Sequence, residues 1–147
     1  MKTLIAIVLV LAMCLPVAAL QIVYPYVSND ATPVFGSVNI KSTVTQTIVA
    51  AQGNAVRTYV TQIQCVNPTS NSVILNVYDG GNAVTGGTIK TRLACPTAVG
   101  GASPLLTFVP PLKMSANTVI NVGIGTTTIA AGGGDGLYIV LNGYTGR

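Results

Sequence analysis

The chain has 147 residues, with seven Lys/Arg against three acids and a formal net charge of +4. Hydrophobic residues make up 50% and charged ones only 7%, at a mean hydropathy of +0.63. That length holds one domain with an adequate core. The cations Lys41, Arg57, Lys90, Arg92 and Lys113 are too scattered to form a nucleic-acid footprint.

The chain opens with Met1-Lys2-Thr3, an apolar core from Leu4 to Leu15, and then Pro16-Val17-Ala18-Ala19. One cation, an apolar run, a breaking proline and a small-residue end describe a hydrophobic leader helix at residues 1–19, a secretory signal peptide cut after Ala19. The alternative is an uncleaved anchor, because residues 3–23 carry no charge and reach the ~20 residues of a bilayer span, giving membrane contact through residues 1–23. Beyond that stretch no apolar run approaches a span. Leu11-Ala12-Met13-Cys14 has lipobox spacing, but Met13 stands where a small residue is needed.

Residues 20–147 read as a single β-sandwich domain. Leu20–Val27 contains Pro25 and is at best an edge strand. Ser28–Gly36 has loop composition. Over Ser37–Ala50, Val38, Ile40, Val44 and Ile48 share one face and threonines the other, which predicts one long strand or two with a bulge near Ser42. Gln52-Gly53-Asn54 marks a turn. In Ala55–Asn82, Tyr59, Ile63 and Cys65 alternate with Thr58, Gln62 and Gln64, a polar loop follows, and Val73, Leu75 and Val77 define a second strand closed by Asp79-Gly80-Gly81-Asn82.

Ile89, Leu93 and Cys95 then alternate with Lys90 and Arg92, which face solvent or a partner. Leu106 and Phe108 give a short strand stopped by Pro110-Pro111, and Asn117–Ile124 gives another. A glycine-rich connection precedes a last strand of Leu137, Ile139 and Leu141. About eight strands with turns between them, and β-branched residues throughout, predict an all-β, antiparallel, jelly-roll-like sandwich.

No histidine and no glutamate occurs, and Asp30, Asp79 and Asp135 are the only acids. Ser-His-Asp and Cys-His catalysis are therefore excluded, and a zinc site would lack imidazole. Each aspartate sits in a Gly- or Asn-containing loop, where turn formation is the ordinary explanation. The composition predicts no enzyme, no cofactor and no metal. Outside the leader, Cys65 and Cys95 are an even pair in an exported chain, which favours a disulfide; two buried thiols are the alternative. Tyr78 and Tyr138 fall opposite the apolar rows and are the candidate ligand platforms, or else interface or second-face residues. Arg57, Lys90 and Arg92 are the candidate partner-facing cations.

Arg57-Thr58-Tyr59-Val60-Thr61, Ile63-Gln64, Asn67, Asp79-Gly80, Phe108, Pro111-Leu112, Ser115-Ala116-Asn117-Thr118 and Gly143-Tyr144-Thr145-Gly146 follow one another in this order. This ordered set, across Ala51–Gly146, resembles a β-sandwich family of bacteriophage virion proteins. The resemblance implies a capsid-associated, decoration or fibre-type component, working as a homo-oligomer or with other virion proteins. The leader departs from that family, whose members assemble in the cytoplasm. A membrane anchor in a virus whose capsid encloses a bilayer would reconcile the two. The alternative is an exported bacterial surface or adhesin-like module that recognises glycans or a protein.

The leader makes a direct prediction. N-terminal sequencing of the isolated protein returns Leu20 if the segment is cleaved, whereas Met1 identifies an anchor.

Overall fold

The computed structural model describes residues 31–42, 44–69, 71–81, 85–97, 104–126 and 136–147. The leader, Asp30 and Asp135 lie outside the described residues. The chain forms β1 (Thr32–Ile40), β2 (Gln46–Val49), β3 (Arg57–Val66), β4 (Val73–Asp79), β5 (Thr88–Cys95), β6 (Leu105–Ala116), β7 (Ile120–Thr126) and β8 (Leu137–Gly146). They make two antiparallel sheets of four strands, in the orders β1-β8-β3-β6 and β2-β7-β4-β5. The pairing is nested: β1 joins β8, β2 joins β7, β3 joins β6 and β4 joins β5. The chain thus behaves as one long hairpin rolled over, with β3·β8 and β4·β7 pairs closing the two sheets.

Alternation explains why the sheets face each other. Val60, Ile63 and Cys65 of β3 and Leu137, Ile139 and Leu141 of β8 point the same way from the first sheet, and all are buried. From the second sheet, Leu75 and Val77 of β4 and Ile120 and Val122 of β7 are buried against them in one continuous core. Each such aliphatic side chain contributes about 1.5–3 kcal/mol on burial, before entropic costs.

Several strands depart from the sequence expectation. Thr32–Gly36, expected as loop, is strand: β1 is an outer strand paired only to β8, where Pro33 costs no interior ladder bond. Gly36 is required there, since a Cβ would collide with the Ile48 carbonyl where β1 and β2 cross. Of the two readings of Ser37–Ala50, the chain takes the one with a break near Ser42: β1 and β2 lie in different sheets, and Val44 between them is 64% exposed rather than in the core.

β6 runs through Pro110-Pro111 instead of stopping there. It is the outer strand of the first sheet, and its register against β3 jumps from Leu112 to Thr107, so the prolines sit in a bulge that pairs with nothing on β3. β3 has its own irregularity between Val60 and Gln62. The extra residue, Thr61, reverses the alternation, so Thr58 is buried and Tyr59 stands on the outer face, the opposite of the expected pattern.

Cys65 and Cys95 are joined by a disulfide, with Cα atoms 6.0 Å apart. It connects β3 of the first sheet to β5 of the second. A bridge closing a loop of this length stabilises by about 3–4 kcal/mol through the unfolded chain. The double variant Cys65→Ala/Cys95→Ala is expected to lose about that much in urea unfolding; an unchanged midpoint would contradict the pairing.

Candidate assembly surface

The polar residues divide into those that hold the sandwich together and those left on its outer faces. Asn67, fully buried just after Cys65, belongs to the first group. Its Nδ2 donates to the carbonyls of Asn71 at 2.8 Å and Cys95 at 2.9 Å. Its Oδ1 accepts from Thr69 N at 3.0 Å and Thr69 Oγ1 at 2.6 Å. The amide therefore fastens the β3–β4 loop to the end of β5, beside the disulfide.

Asp79 does the same at the far end of β4. In the sequence it reads as a turn residue, but its side chain is only 3% exposed. Ser115 of β6 donates its backbone N–H, 2.9 Å from Oδ2 and 3.1 Å from Oδ1, and its hydroxyl to Oδ2 at 2.8 Å. Thr118 Oγ1 lies 2.7 Å from Oδ1, and Lys90 Nζ 3.2 Å from Oδ2. Burial by itself would raise this carboxyl, but the donors from Thr118, Ser115 and Lys90 outweigh it and hold its pKa below the ordinary 3.8. Both oxygens are occupied, so the group acts as a strut between the sheets. Nearby, Asn121 Nδ2 donates to the Gly80 carbonyl at 2.9 Å and its Oδ1 accepts from Thr47 Oγ1 at 2.7 Å.

The five candidate contact residues do not converge. Lys90, expected to face outward like Arg92, turns to Asp79, because a register shift between Val77 and Tyr78 breaks the alternation of β5 against β4. Arg92 stays exposed on the outer side of the second sheet, opposite Asn76. There Ile74, Asn76, Arg92 and Gly125 line a cavity of about 100 Å³. Tyr78 lies on the same outer side but is only 5% exposed, and Asn76 Nδ2 donates to its hydroxyl at 3.1 Å, so its ring offers no platform. Tyr138, 44% exposed, is outward on β8 of the first sheet. Arg57 lies at one end of that sheet, its Nη1 donating to the Met114 carbonyl at 3.4 Å.

Two features of the first sheet were not read from the sequence. Tyr59 and Tyr144, cross-strand partners on β3 and β8, stack with ring centroids 5.1 Å apart and planes at 13°. The Thr61 bulge hides this pair from a simple alternation rule. Phe35, on β1, is 69% exposed and shares the outward side with Tyr138. The outer side of the first sheet is thus aromatic and nearly uncharged. The larger cavity, about 470 Å³, is elsewhere, at the end of the sandwich between Thr32, Gln52, Val56, Thr145, Gly146 and Arg147. No group of three or more metal-ligating side chains occurs among the described residues.

No family model matches the chain, and no curated protein matches it either. Among solved structures, a chain of the cyanophage Pam1 capsid asymmetric unit aligns over 88% of this chain and 96% of its own, at 19% identity and a TM-score of 0.46. A likeness of that strength does not define a function.

The Asp79 strut has a pH signature. A depressed carboxyl contributes stability that is complete above its unfolded pKa of about 3.8 and is lost as pH falls through the lower folded value. Unfolding free energy should therefore decline below about pH 4, and in Asp79→Asn that part of the acid dependence should vanish. Asp79→Ala should cost about 3 kcal/mol at neutral pH by leaving the Ser115 and Lys90 donors unpaired. A cost near zero in urea unfolding would show that the carboxylate ties nothing.

Proposed function

We propose that this chain is a non-enzymatic structural protein that assembles into or onto a virion shell, as a capsid-associated, decoration or fibre-type component. The observation that carries the reading is the nested strand order, which we read as a jelly roll, the architecture of many viral capsid domains and also of lectins. Its chemistry agrees. The one described carboxylate is consumed as a strut, the buried amide of Asn67 fastens a loop, and neither leaves a reactive group facing a cavity. The ordered motifs from Arg57 to Gly146 that resemble phage sandwiches pair with one another: Tyr59 stacks on Tyr144, and Asp79 accepts from Ser115 and Thr118.

The hydrophobic leader and the disulfide fit a protein that passes through or resides in an oxidising compartment. A cleaved leader gives an exported component; a retained one gives a sandwich tethered to a bilayer. The exposure of Phe35 and Tyr138 favours a second reading, a surface module whose rings contact glycans.

Light scattering of the isolated protein separates the two. The structural reading predicts a defined homo-oligomer or higher assembly, together with no change in glycan-array signal on Tyr138→Ala. A strictly monomeric protein that binds glycans and loses them in Tyr138→Ala would replace it with the second reading.

A further inference from the structure

We propose that the outer face of the first sheet is the surface on which a second copy of this chain packs, sheet against sheet. The inference rests on the structural reading above and names the surface that such assembly uses.

The face is apolar where soluble sheets are usually polar. Phe35 is 69% exposed, Leu105 55% and Tyr138 44%, on β1, β6 and β8 respectively, and the Tyr59–Tyr144 stack lies on the same face, beside Lys113 and Pro33 at one end. A single exposed apolar side chain needs no explanation, but several on one continuous sheet face mark a contact surface. At its centre the outward side chains include three amides, Gln62 and Gln64 of β3 and Asn142 of β8, beside Val140, Ser37 and Thr107. A primary amide carries both donors and acceptors, so a face rich in amides is satisfied by an identical face.

Charge points to the same occupant. The only acid among the described residues, Asp79, belongs to the second sheet, so this face carries no negative charge. Its cations, Arg57 and Lys113, lie towards one end of the sheet; Tyr138 lies towards the other, where it pairs in register with Val66. Two copies stacked with opposed strand directions keep the cationic ends apart. Each Arg57 then lies near the Tyr138 end of the other copy, where an aromatic face attracts a guanidinium. A strongly acidic partner would meet cations at one end only and leave Phe35, Leu105 and Tyr138 unmatched.

The size is suitable. Four strands about 4.8 Å apart and nine residues long at ~3.4 Å each give a face on the order of 600 Å² in projection, to which side-chain relief adds. A standard interface needs ~800 Å² of accessible surface per partner. The neighbouring route, edge-to-edge addition at β6, is blocked by the bulge and by Pro110 and Pro111, which have no N–H to offer a new strand.

The test is the oligomeric state of the full chain carrying Phe35→Asp or Tyr138→Asp, with Ile74→Asp on the outer side of the second sheet as control. Phe35 and Tyr138 are exposed, so circular dichroism should show both variants folded. Burying a charge within the contact should raise the dissociation constant about tenfold or more in each, measured by light scattering across a dilution series. Ile74→Asp should leave it unchanged. An oligomer indifferent to both first-sheet variants overturns this face while leaving the structural reading intact. A wild-type chain that is monomeric throughout the series overturns this face, and overturns the structural reading as well if it binds glycans and loses them in Tyr138→Ala.

Discussion

The fold depends on two cross-sheet ties at opposite ends of the β4–β5 pair. At one end Val73 lies opposite Cys95, whose disulfide reaches across to Cys65 on the first sheet. At the other end Asp79 lies opposite Thr88, and its carboxylate reaches across to Ser115 on the first sheet. Dispersion and burial hold the middle of the sandwich, but they are not directional. Hydrogen bonds and a covalent bridge at the two ends fix how one sheet sits over the other. Asn67 reinforces the first end by binding the Cys95 carbonyl across the sheets, while Asn121 binds the Gly80 carbonyl within the second sheet.

With those bonds made, Asp79 and Asn67 are both engaged within the frame. A carboxylate with donors on both oxygens is a poor general base, and a buried amide with all its groups used is a poor ligand. The surface that remains is unusual for its neutrality, with aromatic rings and amides spread across one sheet. Such a face has little to steer a charged substrate and much to offer a flat, neutral partner.

Where strands are regular, the sequence was sufficient. Leu137, Ile139 and Leu141, or Val73, Leu75 and Val77, alternate without interruption and lie in the core as their spacing requires. The pairing of Cys65 with Cys95 followed from an even cysteine count and a leader. What was hidden depended on neighbours distant in the chain. Pro33 and Pro110-Pro111 look like breakers, and only the position of β1 and β6 at sheet edges makes them acceptable. The Thr61 bulge inverts the faces of half of β3, so Tyr59 was expected inside and stacks outside. Asp79 in Asp-Gly-Gly-Asn has every local mark of a turn. Its partners Ser115 and Thr118 are 36 and 39 residues away, beyond any local rule.

The central claim is that two independent ties, one covalent and one ionic, close the two ends of the sandwich. Native-state amide hydrogen exchange at neutral pH and at about pH 2 tests it directly, since acid drives the carboxylate towards its protonated form but spares the disulfide. The account predicts that protection falls selectively around Ser115–Val119 and the end of β4, while amides near Cys65, Asn67 and Cys95 keep theirs. A uniform loss of protection across both ends, or none at Ser115, would contradict it.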